Sequence, residues 1–184
     1  MRRRQVATLP AILDVTACRV AQCPLGSIVA TALRDAVRAP GNMTVIGLMN
    51  GGGLRVGLPA GPITLGQVLD TMPFGNTLAT TTITGADLID TVKHGVSMMG
   101  RGGYAQWAGL RVNLPGLDIE VEHAGTWAPV DPNAAYLIAT NNFVRTGGDG
   151  YTTLRDRGQN PYDNGDNLAE LLAGALAREF APKR

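Results

Sequence analysis

The chain has 184 residues, 45% of them apolar and 17% charged, which is long and apolar enough for one domain with a buried core and unlike a disordered chain. No unbroken apolar run reaches the roughly 20 residues of a bilayer-spanning helix, so no membrane is expected as a partner. Sixteen Lys and Arg against fifteen Asp and Glu leave a net charge of +1, with a single basic run at Arg2 to Arg4; nucleic acid is not expected as a partner either, because a polyanion calls for a broad basic face.

The simplest partition is an N-terminal tail over 1–7 and one domain over 8–184, without internal repeats. The three arginines and the apolar stretch over 5–13 imitate a leader segment, but that stretch is short, contains Pro10 and stops at Asp14, so it is not read as one. Cys18 and Cys23 follow, and with His94 and His123 the only histidines there are too few ligands nearby for zinc. The pair reads either as a short-loop disulfide made in an oxidising compartment or as two unpaired thiols. Over 24–37, Leu25, Ile28, Val29, Ala32, Leu33 and Ala36 recur at the spacing of one helical face, with Pro40-Gly41 as the stop. Residues 44–49 are an apolar run that enters three glycines, a buried strand feeding a tight loop. Thr64 and Gln67 form a capping-box pattern opening a short helix that Pro73 ends. Residues 77–83, rich in Thr, predict a strand with one wetter face, after which Thr84 caps a helix to about Met98. Pro115-Gly116 marks a turn between strands at 110–114 and 119–123, and 136–140 is a further strand. Leu168, Leu171, Leu172, Ala175 and Leu176 line one face of a closing helix over 167–180. The elements alternate without a strict βαβ rhythm, which predicts an α+β domain, layered as in α/β folds, with mixed sheets flanked by helices.

The 24 glycines and 11 prolines exceed the average usage of about 12% combined, and they gather in loops behind strands. In Asn50-Gly51-Gly52-Gly53-Leu54-Arg55 the glycines either bring backbone N–H groups close to an anion or simply make a turn, and Arg55 is suited to hold a phosphate or carboxylate through two parallel hydrogen bonds. No Gly-Lys-Ser or Gly-Lys-Thr follows, so this is not a P-loop. The chain has only three Phe, and Phe74 and Phe143 both lie in such loops. Each ring is either its loop's own hydrophobic plug or one side of a clamp on a flat ring such as a nucleobase, a contact worth about 1–3 kcal/mol.

Taken in order, the motifs resemble the C-terminal domain of the 5'-nucleotidase family, which includes ecto-5'-nucleotidases and periplasmic UDP-sugar hydrolases. The resemblance runs from about Thr8 to the last helix. It rests on Cys-Arg-x-x-x-Cys-x-Leu-Gly at 18–26, Asn-Gly-Gly-Gly-Leu-Arg at 50–55, Leu-Pro-Ala-Gly-Pro-Ile-Thr at 58–64, Pro-Phe-Gly-Asn at 73–76 and Asn-Phe-x-x-x-Gly-Gly-Asp-Gly-Tyr at 142–151. It implies that Arg19 and Arg55, joined by Asn50, hold a substrate phosphate, that Phe74 and Phe143 sandwich the base, and that Asp149 accepts hydrogen bonds from the ribose hydroxyls. Asn76 and Gly103 are implied as neighbours of the base, and Asn142 and Gly148 as further members of the binding motif. A Cys18–Cys23 disulfide and an extracellular, cell-surface or periplasmic location are implied as well. The chain departs from the pattern at Gln22, where an acidic residue is usual, at Ser27, where Asn is usual, and at Thr31, where an Asp follows; all three bear on packing beside the first helix more than on base recognition.

In that family the phosphate ester is cleaved by a separate N-terminal metallophosphatase domain whose Asp, His and Asn side chains hold two divalent metal ions. Its Gly-Asn-His-Glu, Gly-Asn-His-Asp and Gly-His-x-His motifs do not occur here. The expectation is therefore a chain with no catalytic residue, metal or other cofactor of its own, taking a nucleoside monophosphate or related nucleotide and working with a metallophosphatase domain elsewhere. Alternatives are a stand-alone module that captures nucleosides or nucleotides without hydrolysis, and the same hydrolase type with another substrate such as a cyclic nucleotide or nucleotide sugar.

Overall fold

The computed structural model describes residues 2–37 and 39–181. A five-stranded sheet forms the middle layer: β2 (Thr44–Asn50), β4 (Leu78–Thr84), β5 (Ala105–Ala108), β9 (Ala135–Asn141) and β10 (Gln159–Tyr162), in the order β10-β4-β9-β2-β5. Only the central pair, β2 and β9, runs parallel, with Thr44 opposite Tyr136 and Gly47 opposite Ala139. The other pairings are antiparallel, so the sheet is mixed.

Side chains alternate across this sheet into two cores. Met49 and Ala139 join the first, built by α1 (Pro24–Asp35), α2 (Leu65–Thr71), α6 (Leu168–Glu179) and the small antiparallel pair β1 (Gln5–Leu9) and β3 (Gly61–Thr64). Ile46, Leu48 and Ile138 point the other way, into a core closed by α3 (Gly85–Ser97), α5 (Thr152–Asp156) and the antiparallel meander β6 (Leu110–Asn113), β7 (Asp118–His123) and β8 (Thr126–Pro129). The result is the expected α+β architecture, a mixed sheet with helices on both faces.

Local chemistry sets the helix starts. Thr64 and Gln67 form a complete capping box at α2, the Thr84 hydroxyl accepts from the Asp87 N–H at α3, and the Asn167 side chain accepts from the Ala169 N–H at α6. The ordered chain begins earlier than Thr8, where the sequence reading starts the domain. Gln5–Leu9 is a strand with Val6 and Ala7 buried, and the carbonyls of Arg4 and Arg2 accept from the Leu65 and Gly66 N–H groups that α2 leaves unpaired in its first turn. A five-residue strand with one paired neighbour gives too short an alternation to stand out in sequence. At the other boundaries α1 ends at Asp35 rather than 37 and α3 at Ser97.

Candidate functional site

The two parallel strands at the centre of the sheet end side by side, β2 at Asn50 and β9 at Asn141, and the loops that follow them, with those that carry Arg19, Phe74 and Gly102, build one pocket of about 480 Å³. Arg19, Asn50, Gly52, Gly53, Arg55, Phe74, Asn76, Gly102, Phe143 and Asp149 line it. A crevice at the carboxyl ends of parallel strands is where open sheets of this kind leave room for a ligand.

After β2, Gly51–Gly53 makes one tight 3₁₀ turn. Its N–H groups are not an anion cradle: Gly51 donates to the Tyr104 carbonyl (2.8 Å) and Gly52 to the Gly102 carbonyl (2.7 Å). The glycines are needed for close approach instead. A Cβ at Gly51 would stand 2.2 Å from the Cys18 carbonyl oxygen, and one at Gly52 2.7 Å from the Gly102 Cα. Of the two roles the sequence allowed these glycines, the structure takes the turn, which lets Gly52 and Gly53 line the pocket together with Gly102 and brings Arg55 to it.

Arg55 is exposed, its Nη1 donates to the Gly52 carbonyl at 3.3 Å, and its guanidinium carbon lies 5.9 Å from the centre of the Phe74 ring. Arg19 reaches the pocket from the 3₁₀ turn Thr16–Arg19, just inside a disulfide between Cys18 and Cys23. That disulfide loop is stitched to the edge strand β5. Buried Gln106 donates to the carbonyls of Cys18 and Ala21 and accepts from the Cys23 N–H, at 2.7–2.8 Å. Gln22 donates to the Ala105 carbonyl and accepts from the Trp107 N–H. The departure at Gln22 thus has a local use, because an amide satisfies both a strand carbonyl and a strand N–H whereas a carboxylate only accepts. Among the described residues neither Arg19 nor Arg55 has a carboxylate within ion-pair distance, whereas Arg145, two residues after Phe143, is taken by Asp163. Two arginines without an ion-pair partner in one pocket are suited to an anion.

Phe74 and Phe143 are 59% and 43% exposed, an uncommon state for large apolar rings unless something covers them. Neither is a buried plug; both face the pocket. Phe143 sits on the single helical turn α4 (Asn142–Arg145), which the Asn141 side chain caps by accepting from the Val144 N–H. Asp149 follows in the 3₁₀ turn Gly148–Gly150 at φ 54°, a left-handed conformation that Asp tolerates better than most residues. It is held at both ends. Its carboxylate Oδ2 accepts from Asn50 Nδ2 at 2.8 Å, and its carbonyl accepts from His94 Nε2 at 2.8 Å; because a carbonyl only accepts, the ring must carry its proton on Nε2. Behind it the Tyr151 ring packs edge-on to His94 and its hydroxyl donates to the Gly103 carbonyl at 2.6 Å. Burial, reinforced by the Asp149 charge, pushes that hydroxyl's pKa well up, so it stays a donor throughout the ordinary pH range.

Of the residues singled out in the sequence, Arg19, Asn50, Arg55, Phe74, Asn76, Phe143 and Asp149 line the pocket. Gly103, Asn142 and Gly148 stand behind its walls. A Cβ at Gly103 would meet the Asp149 Cβ at 3.1 Å, and one at Gly148 would meet the Phe143 ring at 2.6 Å, while Asn142 Oδ1 accepts from the Thr77 N–H beside Asn76. Asn141, His94 and Gln106 were not singled out, and nothing in their local pattern distinguishes them from ordinary polar residues at strand and helix ends. Among the described residues no three His, Cys, Asp or Glu side chains are gathered where they could hold a metal ion.

The sequence model of the family described as "5'-nucleotidase, C-terminal domain" matches residues 5–156. The chain belongs to this family. As a 5'-nucleotidase C-terminal domain it is 37% identical over 150 residues to the trifunctional nucleotide phosphoesterase protein YfkN of Bacillus subtilis, a match covering 75% of this chain and 10% of that protein. It is 34% identical over 145 residues to protein UshA of Escherichia coli, covering 76% of this chain and 24% of UshA. The solved structure of a 5'-nucleotidase precursor from Thermus thermophilus superposes with a TM-score of 0.87 at 31% identity, covering 98% of this chain and 38% of that one. The domain thus spans between 10% and 32% of the first curated relatives it matches. No helix among the described residues is long and apolar enough to cross a membrane.

Proposed function

We propose that this domain is the nucleotide-recognising part of a 5'-nucleotidase-type hydrolase acting in nucleotide breakdown. Its pocket takes a nucleoside 5'-monophosphate or related nucleotide, and a metallophosphatase domain outside these 184 residues supplies the two divalent ions and cleaves the ester. The observation that carries the reading is the convergence, in one pocket of about 480 Å³, of two arginines without carboxylate partners, two half-exposed phenylalanines and a carboxylate held from behind. Those three chemistries match the three parts of a nucleotide: anion, flat base and diol. The volume is in the range of small-molecule sites. Arg55 is exposed, so a phosphate bound there faces outward, as it must if a metal centre on another domain is to reach it. The Cys18–Cys23 disulfide favours an oxidising location, extracellular, cell-surface or periplasmic.

Calorimetry with AMP and adenosine tests the reading. The chain should bind both, AMP more tightly, and Arg55→Ala should weaken AMP by about 1.5–3 kcal/mol while sparing adenosine, because a charge-assisted contact is lost only where a phosphate exists. Equal affinities for the two ligands, or an Arg55→Ala loss shared by both, would contradict the anion site. Failure of the chain to bind either would remove the function.

A further inference from the structure

We infer that Asn141 is a positioning residue that ties the aromatic side of the pocket to the Asp149 carboxylate and so sets how strongly the protein reads the ribose hydroxyls; this rests on the nucleotide reading above. Asn141 is fully buried at the end of β9. Its Oδ1 accepts from the Val144 N–H at 2.8 Å, fixing the start of the turn that carries Phe143. Its Nδ2 donates to Asn50 Oδ1 at 3.0 Å, and Asn50 Nδ2 in turn donates to Asp149 Oδ2 at 2.8 Å.

The two ends of this relay fix the orientation of both amides. An N–H can only donate, so the Asn141 oxygen must face Val144; a carboxylate can only accept, so the Asn50 nitrogen must face Asp149. The middle bond then has one direction, Asn141 nitrogen to Asn50 oxygen, and neither amide can turn over without stranding a buried polar group. The relay pins Oδ2, and among the described residues no side chain or backbone N–H bonds Oδ1. A carboxylate with one oxygen anchored and the other open presents adjacent lone pairs in a fixed direction, the arrangement that suits two neighbouring hydroxyls. The same side chain that holds Phe143's turn therefore also aims the diol acceptor.

The test separates the cap from the relay. Ser caps a helix about as well as Asn but is too short to carry the donor on to Asn50. Asn141→Ser should therefore keep the aromatic contact and loosen Asp149. Calorimetry of the full chain with adenosine and with 2',3'-dideoxyadenosine reads the difference: adenosine affinity should fall about three- to tenfold, the worth of one net hydrogen bond, and the dideoxy ligand should change by less than about twofold. Should Asn141→Ser fail to fold, as judged by circular dichroism, Asn141→Thr, close to Asn in volume, with an oxygen for the cap and no amide to reach Asn50, takes its place with the same ratio read. Equal losses for both ligands, or none for either, overturn the relay and leave the nucleotide reading standing. Failure of the unaltered chain to bind adenosine overturns both.

Discussion

Gly148 lies directly behind the Phe143 ring, and that contact makes a small substitution informative. A Cβ added there would stand 2.6 Å from three ring atoms, Cδ1, Cε1 and Cζ. Carbon atoms pack at about 3.5–4.0 Å, so in Gly148→Ala the ring must retreat by roughly 1 Å or more. The backbone at Gly148 is outside the left-handed region, so alanine brings no backbone strain there. Phe143 is 43% exposed, and a half-exposed ring swings aside at little cost to the fold. Stability should therefore change by no more than about 1 kcal/mol, the usual scale for a substitution outside the core. Nucleoside affinity should fall by up to the full worth of one stacked ring, about 1–3 kcal/mol, or roughly 5- to 150-fold. Thermal melting and adenosine calorimetry on the same preparations separate the two effects. The pair should also be non-additive: once Phe143→Ala has removed the ring, Gly148→Ala should cost almost nothing further in affinity. Refutation is direct. If Gly148→Ala weakens adenosine binding as much in the Phe143→Ala background as alone, the glycine does not act through the ring.

Gln106→Leu strands the buried Cys18 carbonyl and Cys23 N–H and frees the part-buried Ala21 carbonyl, so it should cost about 3 kcal/mol and lower Tm by roughly 6–12 °C in scanning calorimetry. Reduction of Cys18–Cys23 should cost less, because so short a loop removes little chain entropy; the opposite ranking in melts with and without reductant would show that the crosslink, not the glutamine, holds the loop. The purified chain should release no phosphate from AMP with Mn²⁺ or Zn²⁺, since the described residues gather no metal-ligand group; metal-stimulated release that survives repurification would contradict this.

How legible each part was follows from where its partners lie. The helix at α1, the capping box at Thr64 and the N-cap at Thr84 are written in neighbouring residues, and the helix ends read from them lie within two residues of the observed ones. Strands β8 and β10 were not found, and both are exposed along their whole length, so they carry no apolar alternation. Strand β5 is buried along all four residues, one of them Gln106, and its pattern likewise gives no period. The pocket's own chemistry was visible as Arg, Phe and Asp in glycine-rich loops, and the family resemblance supplied the order in which to read them. What holds those residues was not visible. Asn141 acts on Asn50 across 91 positions, Asn50 on Asp149 across 99 and His94 on Asp149 across 55. No local pattern marks such pairs. The triple glycine shows the limit from the other side: its sequence permits an exposed N–H nest, and only the approach of Gly102 and Tyr104 decides that those donors are already used.

The pocket's walls run from Arg19 to Asp149 in the chain, with contributions near 50, 74 and 102 in between. No sub-segment can carry it, so the site comes into being only when nearly the whole sheet has assembled. Any small molecule that fills it therefore recognises the native state alone and raises the unfolding free energy of the domain as one unit, by about 2.7 kcal/mol at a hundred times its dissociation constant. Occupancy would disfavour every opening that takes the pocket apart, including those that begin in strands far from the ligand, and a protease cut between these walls would abolish binding even where the fragments stayed together only loosely. In this domain the ligand site doubles as a gauge of whether folding is complete.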